Sequence, residues 1–189
     1  MAGNHSALHL LGLVSSGSVH SYPDHLYALL ELVNRQRVGR AFLHIITDGK
    51  DAPPDEATRF IPQLQERLAA RHPHVAIASL VGRFYAMDRD EKWERVRAAY
   101  ELLTDGRGNA FTDPAAYAAE SYGRGISDEF IEPACRAGGD GAAVGRIQGG
   151  DGLIIFNFRE DSVREIAEAF AKETFDAFPR PRLQNLKIA

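Results

Sequence analysis

Four short segments of this chain contain most of the charged side chains that could bind a small ligand. Each segment follows a run of apolar residues, and together they cover residues 15–21, 48–51, 82–90 and 157–161. Arginine and lysine side chains bind phosphate and carboxylate groups, and aspartate and histidine exchange protons with hydroxyl groups. We therefore predict a site for a small, strongly anionic molecule that also carries hydroxyls, formed by His20, Lys50, Asp51, Arg83, Arg89 and Arg159.

Asp51 and His20 are the candidates for proton chemistry. A carboxylate next to Lys50 stays ionised and is ready to accept a proton from a bound hydroxyl. His20 lies among small residues, where it can donate to a phosphate oxygen or act near neutral pH. Simpler interpretations stay open for both residues. In one, Asp51 only caps a turn that Asp48 and Gly49 favour, and in the other His20 is a solvated loop residue.

Three arginines are the candidates for anion binding. Arg159 stands between an apolar run and a helical pattern, so its planar guanidinium lies near a helix N-terminus that itself favours anions. Arg83 and Arg89 flank one loop and can clamp a phosphate or carboxylate from two sides. The competing interpretation is that all three form ordinary surface ion pairs. The neighbouring carboxylates available for such pairs are Asp88, Asp90, Glu160 and Asp161.

The four segments can form one site only if a scaffold brings the strand ends together. Apolar runs predict strands at residues 8–14, 41–47, 75–81 and 153–156, and apolar residues at helical spacing predict helices between them. Three repeats of strand and helix indicate right-handed βαβ units. We predict an α/β fold with three α/β/α layers and a mainly parallel sheet of four or five strands. In such a sheet the segments after the strands emerge at one edge, where ligands bind.

Local signals add detail to this scaffold. Asp113 followed by Pro114 predicts the start of a helix that runs to about residue 123. A last helix is predicted over residues 161–172, and Asp55 is a candidate N-cap for the helix after the second strand. Residues 124–152 are rich in glycine and are interpreted as turns, because no nucleotide-binding glycine pattern follows a strand there.

Composition limits the classes of function. The 189 residues suffice for one domain, residues 1–189, with its own core, and a net charge of −4 argues against general nucleic-acid binding. No run approaches the ~20 apolar residues of a membrane span, and the apolar N-terminal run lacks the basic region of a signal peptide. We therefore expect a cytoplasmic protein. The single Cys135 excludes an internal disulfide, and no Cys and His spacing predicts a metal site.

Several of these strings, taken together, resemble the cofactor-independent phosphoglycerate mutases. The most specific is Gly-Arg-Phe-Tyr-Ala-Met-Asp-Arg-Asp at residues 82–90, and the similarity continues at residues 8–14, 17–21, 48–51, 127–130 and 156–159. The resemblance implies a protein of two domains. One is phosphatase-like and carries two manganese ions and a phosphorylated serine, and the other is inserted into it and holds the glycerate. This chain resembles the inserted substrate-binding domain, without a cofactor of its own, because the metal-binding motifs and the serine region are absent from its sequence.

The resemblance also implies roles for the candidate residues. Asp51 would contact the substrate hydroxyls and shuttle a proton during phosphoryl transfer. The implied partners are the substrate and the metal-bearing domain, and the isolated chain is not expected to catalyse the reaction. The residues implied to hold the carboxylate and phosphate of 2- or 3-phosphoglycerate are His20, Lys50, Arg83, Arg89 and Arg159.

At four positions the sequence departs from the family pattern. The family usually has Asp where Ser16 stands, Gly where Ser18 stands, and Arg where Lys50 and Ser162 stand. Lysine keeps the charge but loses the planar fork. Arginine at positions 50 and 162 is expected to tighten binding, since a helical residue 162 shares a face with Arg159. The gain is expected to be larger at residue 162, where a charge is added and not only reshaped. Two alternatives stay open: a stand-alone binding module for a phosphorylated metabolite, and an inactive remnant.

Overall fold

The four apolar runs of the chain form neighbouring parallel strands at the centre of one sheet. In the computed structural model, which describes residues 6–189, these strands are β1 (Leu8–Leu13), β2 (Ala41–Thr47), β3 (Val75–Gly82) and β6 (Gly152–Ile155). β1 lies between β2 and β6, and β3 pairs with the other side of β2. All four run in the same direction, as strands joined by crossover helices do.

Three short strands extend this centre to seven strands in the order β4-β5-β3-β2-β1-β6-β7. They are β4 (Asn109–Phe111), β5 (Ala134–Arg136) and β7 (Lys187–Ile188). Only the β3–β5 pair is antiparallel among the strands described. The mainly parallel sheet is confirmed, but the expected count of four or five strands was too low. Strands of two or three residues are too short to show an apolar run in the sequence.

Helices cover both faces of the sheet. They are α1 (Pro23–Arg35), α2 (Ala57–Arg71), α3 (Arg83–Ala86), α4 (Trp93–Asp105), α5 (Pro114–Gly123) and α6 (Arg164–Ala171). Asp113 caps α5 through the backbone nitrogen of Ala115, as its position before Pro114 predicted. Two local predictions were wrong. α2 starts after Glu56 rather than Asp55, and a 3₁₀ turn (Glu160–Ser162) precedes a shorter last helix.

The core is divided by the sheet into two layers. Leu10 packs with α1, α2 and α5 on one face, while its neighbour Leu11 packs with α4 and α6 on the other, and both are fully buried. Successive strand residues point to opposite faces, so a strand buried on both sides must be apolar throughout. This explains the continuous apolar run of β1 and confirms the three-layer α/β/α fold. No helix within residues 6–189 is long and apolar enough to cross a membrane.

Candidate functional site

Asp48 is the centre of a buried hydrogen-bond network at the carboxyl end of β2. Its side chain is 1% exposed. Oδ1 accepts from the backbone nitrogens of Lys50 (3.1 Å) and Asp51 (3.0 Å), and Oδ2 accepts from Oγ of Ser15 (2.7 Å). Burial alone would raise the pKa of Asp48, but the hydrogen bonds from Asp51, Ser15 and Arg83 outweigh it and hold the pKa below its ordinary value. The carboxylate thus connects the segments that follow β1 and β2.

Arg83 brings three of the predicted site residues into contact. It is the first residue of α3, directly after β3, and its side chain is buried. Nη1 donates to Oδ1 of Asp48 and to Oδ2 of Asp51, both at 2.6 Å, and Nη2 lies 3.0 Å from Nε2 of His20. The same Nε2 lies 3.3 Å from Oδ2 of Asp51. Residues from three strand ends therefore form one cluster, which we call the arginine–histidine cluster (His20, Asp48, Asp51 and Arg83).

The contacts of His20 favour one tautomer of its ring. Nη2 of Arg83, which can only donate, lies closer to Nε2 (3.0 Å) than the acceptor Oδ2 of Asp51 does (3.3 Å), so we assign Nε2 as the acceptor. The proton of the neutral ring is then on Nδ1, and Nδ1 is buried without a hydrogen-bond partner among the described residues. Burial and the charge of Arg83 lower the pKa of His20, against the opposing effect of Asp51. The ring is therefore neutral and presents an unused donor, which a ligand oxygen could satisfy.

The other two predicted arginines meet beside this cluster. Nη1 of Arg89 donates to Oδ2 of Asp161 at 3.0 Å, and Nε of Arg159 lies 2.9 Å from Oδ1 of the same carboxylate. Both arginines are partly exposed. The backbone nitrogen of Phe158 donates to the carbonyl of His20 at 2.9 Å, so the segment with Arg159 adjoins the arginine–histidine cluster. The charges of Arg159 and Asp161 accordingly act on the pKa of His20.

Lys50 is in the segment of Asp51, but its side chain is exposed and forms no hydrogen bond or ion pair with the residues that the structure describes. Of the six predicted residues, the structure thus brings five together and places the sixth on the rim. The ion-pair interpretation holds in part, because Asp161 does contact Arg159. It does not hold for Asp88, which pairs with Arg95 at 2.8 Å instead of Arg83 or Arg89.

Ser162 does not occupy the position that the sequence suggested. It lies in the 3₁₀ turn and is fully buried, so it shares no helix face with Arg159. Its Oγ donates to the carbonyl of Arg159 at 2.7 Å and accepts from Nδ2 of Asn157 at 3.4 Å. The turn directs this side chain into the interior. Ser16 is exposed, and its backbone nitrogen donates to the buried carboxylate of Glu56 at 2.8 Å.

A second group of buried residues packs against the segment that follows β2. Asp128 is buried, accepts from the backbone nitrogen of Ala57 at 3.0 Å and from the hydroxyl of Tyr122, and its carbonyl accepts from Oγ1 of Thr47 at 2.7 Å. Burial raises the pKa of Asp128 to about 6. Gly49 packs here with φ of 70°, and a Cβ at that position would lie 2.6 Å from the backbone nitrogen of Glu129. Only glycine therefore fits between Asp48 and Lys50.

Sequence reasoning missed the organising role of two carboxylates, Asp48 and Asp128, and considered Asp161 only as a partner in a surface ion pair. Asp48 was interpreted only as part of a turn pair, although an Asp at a strand end that accepts backbone nitrogens two and three residues later is a recognisable signal. No group of three or more His, Cys, Asp or Glu within residues 6–189 is arranged to hold a metal ion. The described residues therefore offer no set of ligands for the two manganese ions that the resemblance implies.

Comparison with known proteins relates this geometry to a family. A family model described as the BPG-independent PGAM N-terminus matches residues 1–189. The 2,3-bisphosphoglycerate-independent phosphoglycerate mutase of Myxococcus xanthus is 47% identical over 178 residues, which cover 94% of this chain and 34% of the relative. The enzyme of the same name from Moorella thermoacetica is 45% identical over 175 residues, which cover 93% of this chain and 34% of the relative.

A solved structure agrees with these relatives. The phosphoglycerate mutase of Leishmania mexicana, determined at low cobalt concentration, superposes with a TM-score of 0.92 at 30% identity. The superposition covers 98% of this chain and 35% of that one. The chain therefore spans about a third of the length of the relatives that it matches.

Proposed function

This chain belongs to the family of BPG-independent phosphoglycerate mutases, whose N-terminal part it matches, and from that premise we propose that it supplies the substrate-binding half of an active site that interconverts 2- and 3-phosphoglycerate. The observation that carries this proposal is the meeting of His20, Asp51 and Arg83 in one contact cluster beside Arg89 and Arg159. Cations and neutral donors held this close to each other suit a small molecule with two anionic groups.

Each side chain has a role that its surroundings support. Arg89 and Arg159 stand at the partly exposed rim, where their guanidinium groups can bind the phosphate or the carboxylate. The Nδ1–H group of His20 is a buried donor without a partner among the described residues, and an oxygen of the substrate can accept from it. The side chain of Asp51 is 23% exposed and accepts from Arg83 through Oδ2. Its other oxygen can accept the proton of a substrate hydroxyl and return it after transfer.

The chemistry of phosphoryl transfer needs more than these residues provide. Charge that develops on the transferring phosphoryl group is usually neutralised by metal ions, and the described residues hold no metal-ligand group. We propose that the nucleophile and two manganese ions come from the part of the mutase that this chain does not cover. We also propose that the reaction takes place in the cytoplasm as a step of glycolysis, and that the isolated chain does not turn over substrate.

Calorimetric titration of the purified chain with 3-phosphoglycerate tests this proposal. We expect weak binding that falls as salt is added, because exposed charges are screened. Arg159→Ala should weaken binding about tenfold or more, since a lost charge-assisted hydrogen bond costs about 1.5–3 kcal/mol. Arg164→Ala is the matched control, because Arg164 is exposed in the same region and pairs with Glu160 instead of Asp161.

Two outcomes would contradict the proposal. An Arg159→Ala variant that binds as tightly as the wild type would move the anion site elsewhere. Robust mutase turnover by the chain alone would show that the chain supplies more than the substrate-binding half of an active site. Binding of many phosphorylated metabolites with equal affinity would favour the stand-alone binding module, and absence of binding would favour the inactive remnant.

A further inference from the structure

Asp161 is the one carboxylate that contacts both rim arginines within residues 6–189. Arg89 comes from the segment between α3 and α4, and Arg159 comes from the segment after β6. Oδ2 of Asp161 accepts from Nη1 of Arg89 at 3.0 Å, while Oδ1 lies 2.9 Å from Nε of Arg159. Each arginine thus uses a different oxygen of the same group. The carboxylate thereby joins two parts of the chain that have no strand pairing with each other.

The backbone that carries Asp161 is held firmly. In the 3₁₀ turn, Ser162 is fully buried, and both its backbone nitrogen (3.3 Å) and its Oγ (2.7 Å) donate to the carbonyl of Arg159. The segment of Arg89 is fixed separately, since the buried carboxylate of Asp88 accepts from the backbone nitrogens of Asp90 and Lys92 at 3.0 and 2.9 Å. Both backbones are therefore set by the fold, and only the long arginine side chains need a partner to hold them.

Asp161 holds the arginines without using up their donors. A guanidinium carries five N–H groups. Within the described part of the chain, Arg89 uses one of them in its hydrogen bond to Asp161, and Arg159 meets Asp161 as an ion pair. Contact through Nε of Arg159 leaves both of its terminal nitrogens available to an anion. The two positive charges would repel each other if no negative charge lay between them.

We propose that Asp161 is a positioning residue that holds Arg89 and Arg159 together as one clamp and so determines where an anionic group of the substrate binds. The inference rests on the proposed function and deepens it. A simpler idea is that Asp161 is an anion that competes with the substrate for the arginines. The two ideas predict opposite changes in substrate affinity when Asp161 is removed. A competitor weakens substrate binding, so its removal tightens it, whereas removal of a positioning residue weakens binding.

The test compares Asp161→Ala and Asp161→Asn with Glu160→Ala. The control removes the same charge from the same turn, but Glu160 is largely exposed and pairs with Arg164. Titration with 3-phosphoglycerate should show about fivefold to tenfold weaker binding for Asp161→Ala and little change for Glu160→Ala, as expected for the loss of two exposed ion pairs. The effect of Asp161→Ala should be smaller in an Arg89→Ala background, where only the contact with Arg159 is left to lose, while the thermal midpoint stays nearly unchanged in every variant.

A second measurement needs no ligand. Nitrogen NMR of the guanidinium groups, assigned with Arg89→Lys and Arg159→Lys, should show slowed side-chain motion for both arginines in the wild type and faster motion for both in Asp161→Ala. Tighter binding by Asp161→Ala, or guanidinium spectra that do not change, would overturn the positioning role. If the wild type does not bind phosphoglycerate, the proposed function fails, and the guanidinium spectra still decide whether Asp161 holds the two arginines.

Discussion

The Nε2 atom of His20 lies 3.0 Å from the Nη2 atom of Arg83 in the interior of the protein. The guanidinium can only donate, and its contact is shorter than the 3.3 Å between Nε2 and Oδ2 of Asp51, so we assign Nε2 as the acceptor and place the proton of the neutral ring on Nδ1. Nδ1 has no hydrogen-bond partner among the described residues. The pair therefore converts a histidine into a neutral donor with a fixed direction.

The tautomer of His20 predicts which of two substitutions, His20→Asn or His20→Gln, keeps more phosphoglycerate affinity. Asparagine places an amide N–H near the position of Nδ1, whereas glutamine reaches the position of Nε2. We expect His20→Asn to keep more phosphoglycerate affinity than His20→Gln, because only the former can retain the donor. Calorimetric titration of both variants measures this. Equal losses, or a smaller loss for His20→Gln, would show that the ligand does not use Nδ1.

Asp48→Asn should be among the most destabilising single changes in the site. Asn cannot supply the charge that Arg83 faces inside the protein, and breaking a buried ion pair costs about 3–5 kcal/mol. Asp51→Asn is the matched control, with a side chain that is 23% exposed, and its cost should be closer to 1 kcal/mol. Urea unfolding at pH 7 compares the two. If the Asp48→Asn variant has the same free energy of unfolding as Asp51→Asn, Asp48 does not organise the site.

Lys50→Arg should tighten phosphoglycerate binding more than Ser162→Arg, which is the opposite of the expectation from the sequence. Lys50 is exposed on the rim, so an arginine there gains a planar fork at little structural cost, and affinity should rise about twofold to threefold. Ser162 is fully buried, and a larger side chain should lower stability by about 1–3 kcal/mol without tightening binding. Titration and thermal unfolding of both variants test this. Tighter binding by Ser162→Arg at an unchanged midpoint would show that residue 162 turns outward when it is charged.

Asp128 predicts a pH dependence of stability with a definite sign. Burial raises its pKa to about 6 from an ordinary value of 3.8, so the folded state binds the proton more tightly than the unfolded state. The contribution of this group to stability is therefore fully present below pH 4 and is lost as the pH rises through 6. Asp128→Asn should lack that loss. Urea unfolding between pH 4 and 7 should show a difference between wild type and variant that changes with pH, and a constant difference would contradict this assignment.

The sequence by itself determined the central architecture of this protein. Leu10 and Leu11 belong to one unbroken apolar run, and a strand can be apolar at every position only when both faces of its sheet are covered. Alternation of such runs with helical spacing therefore predicted a parallel three-layer fold. It also predicted that the segments after the strands meet at one edge, which is why His20, Asp51 and Arg83 could be grouped before any contact was known.

Only the tertiary structure decided how these residues are used. Asp48 and Asp161 became visible as organising groups once their partners from other segments were in place, since a carboxylate shows no sign in the sequence of which distant donor it will accept. The direction of Ser162 was likewise undecided, because the sequence does not show that a 3₁₀ turn stands where a helix was expected. Burial is the largest cause of the pKa shifts of His20 and Asp128, and burial is a property of the whole fold that no local pattern encodes.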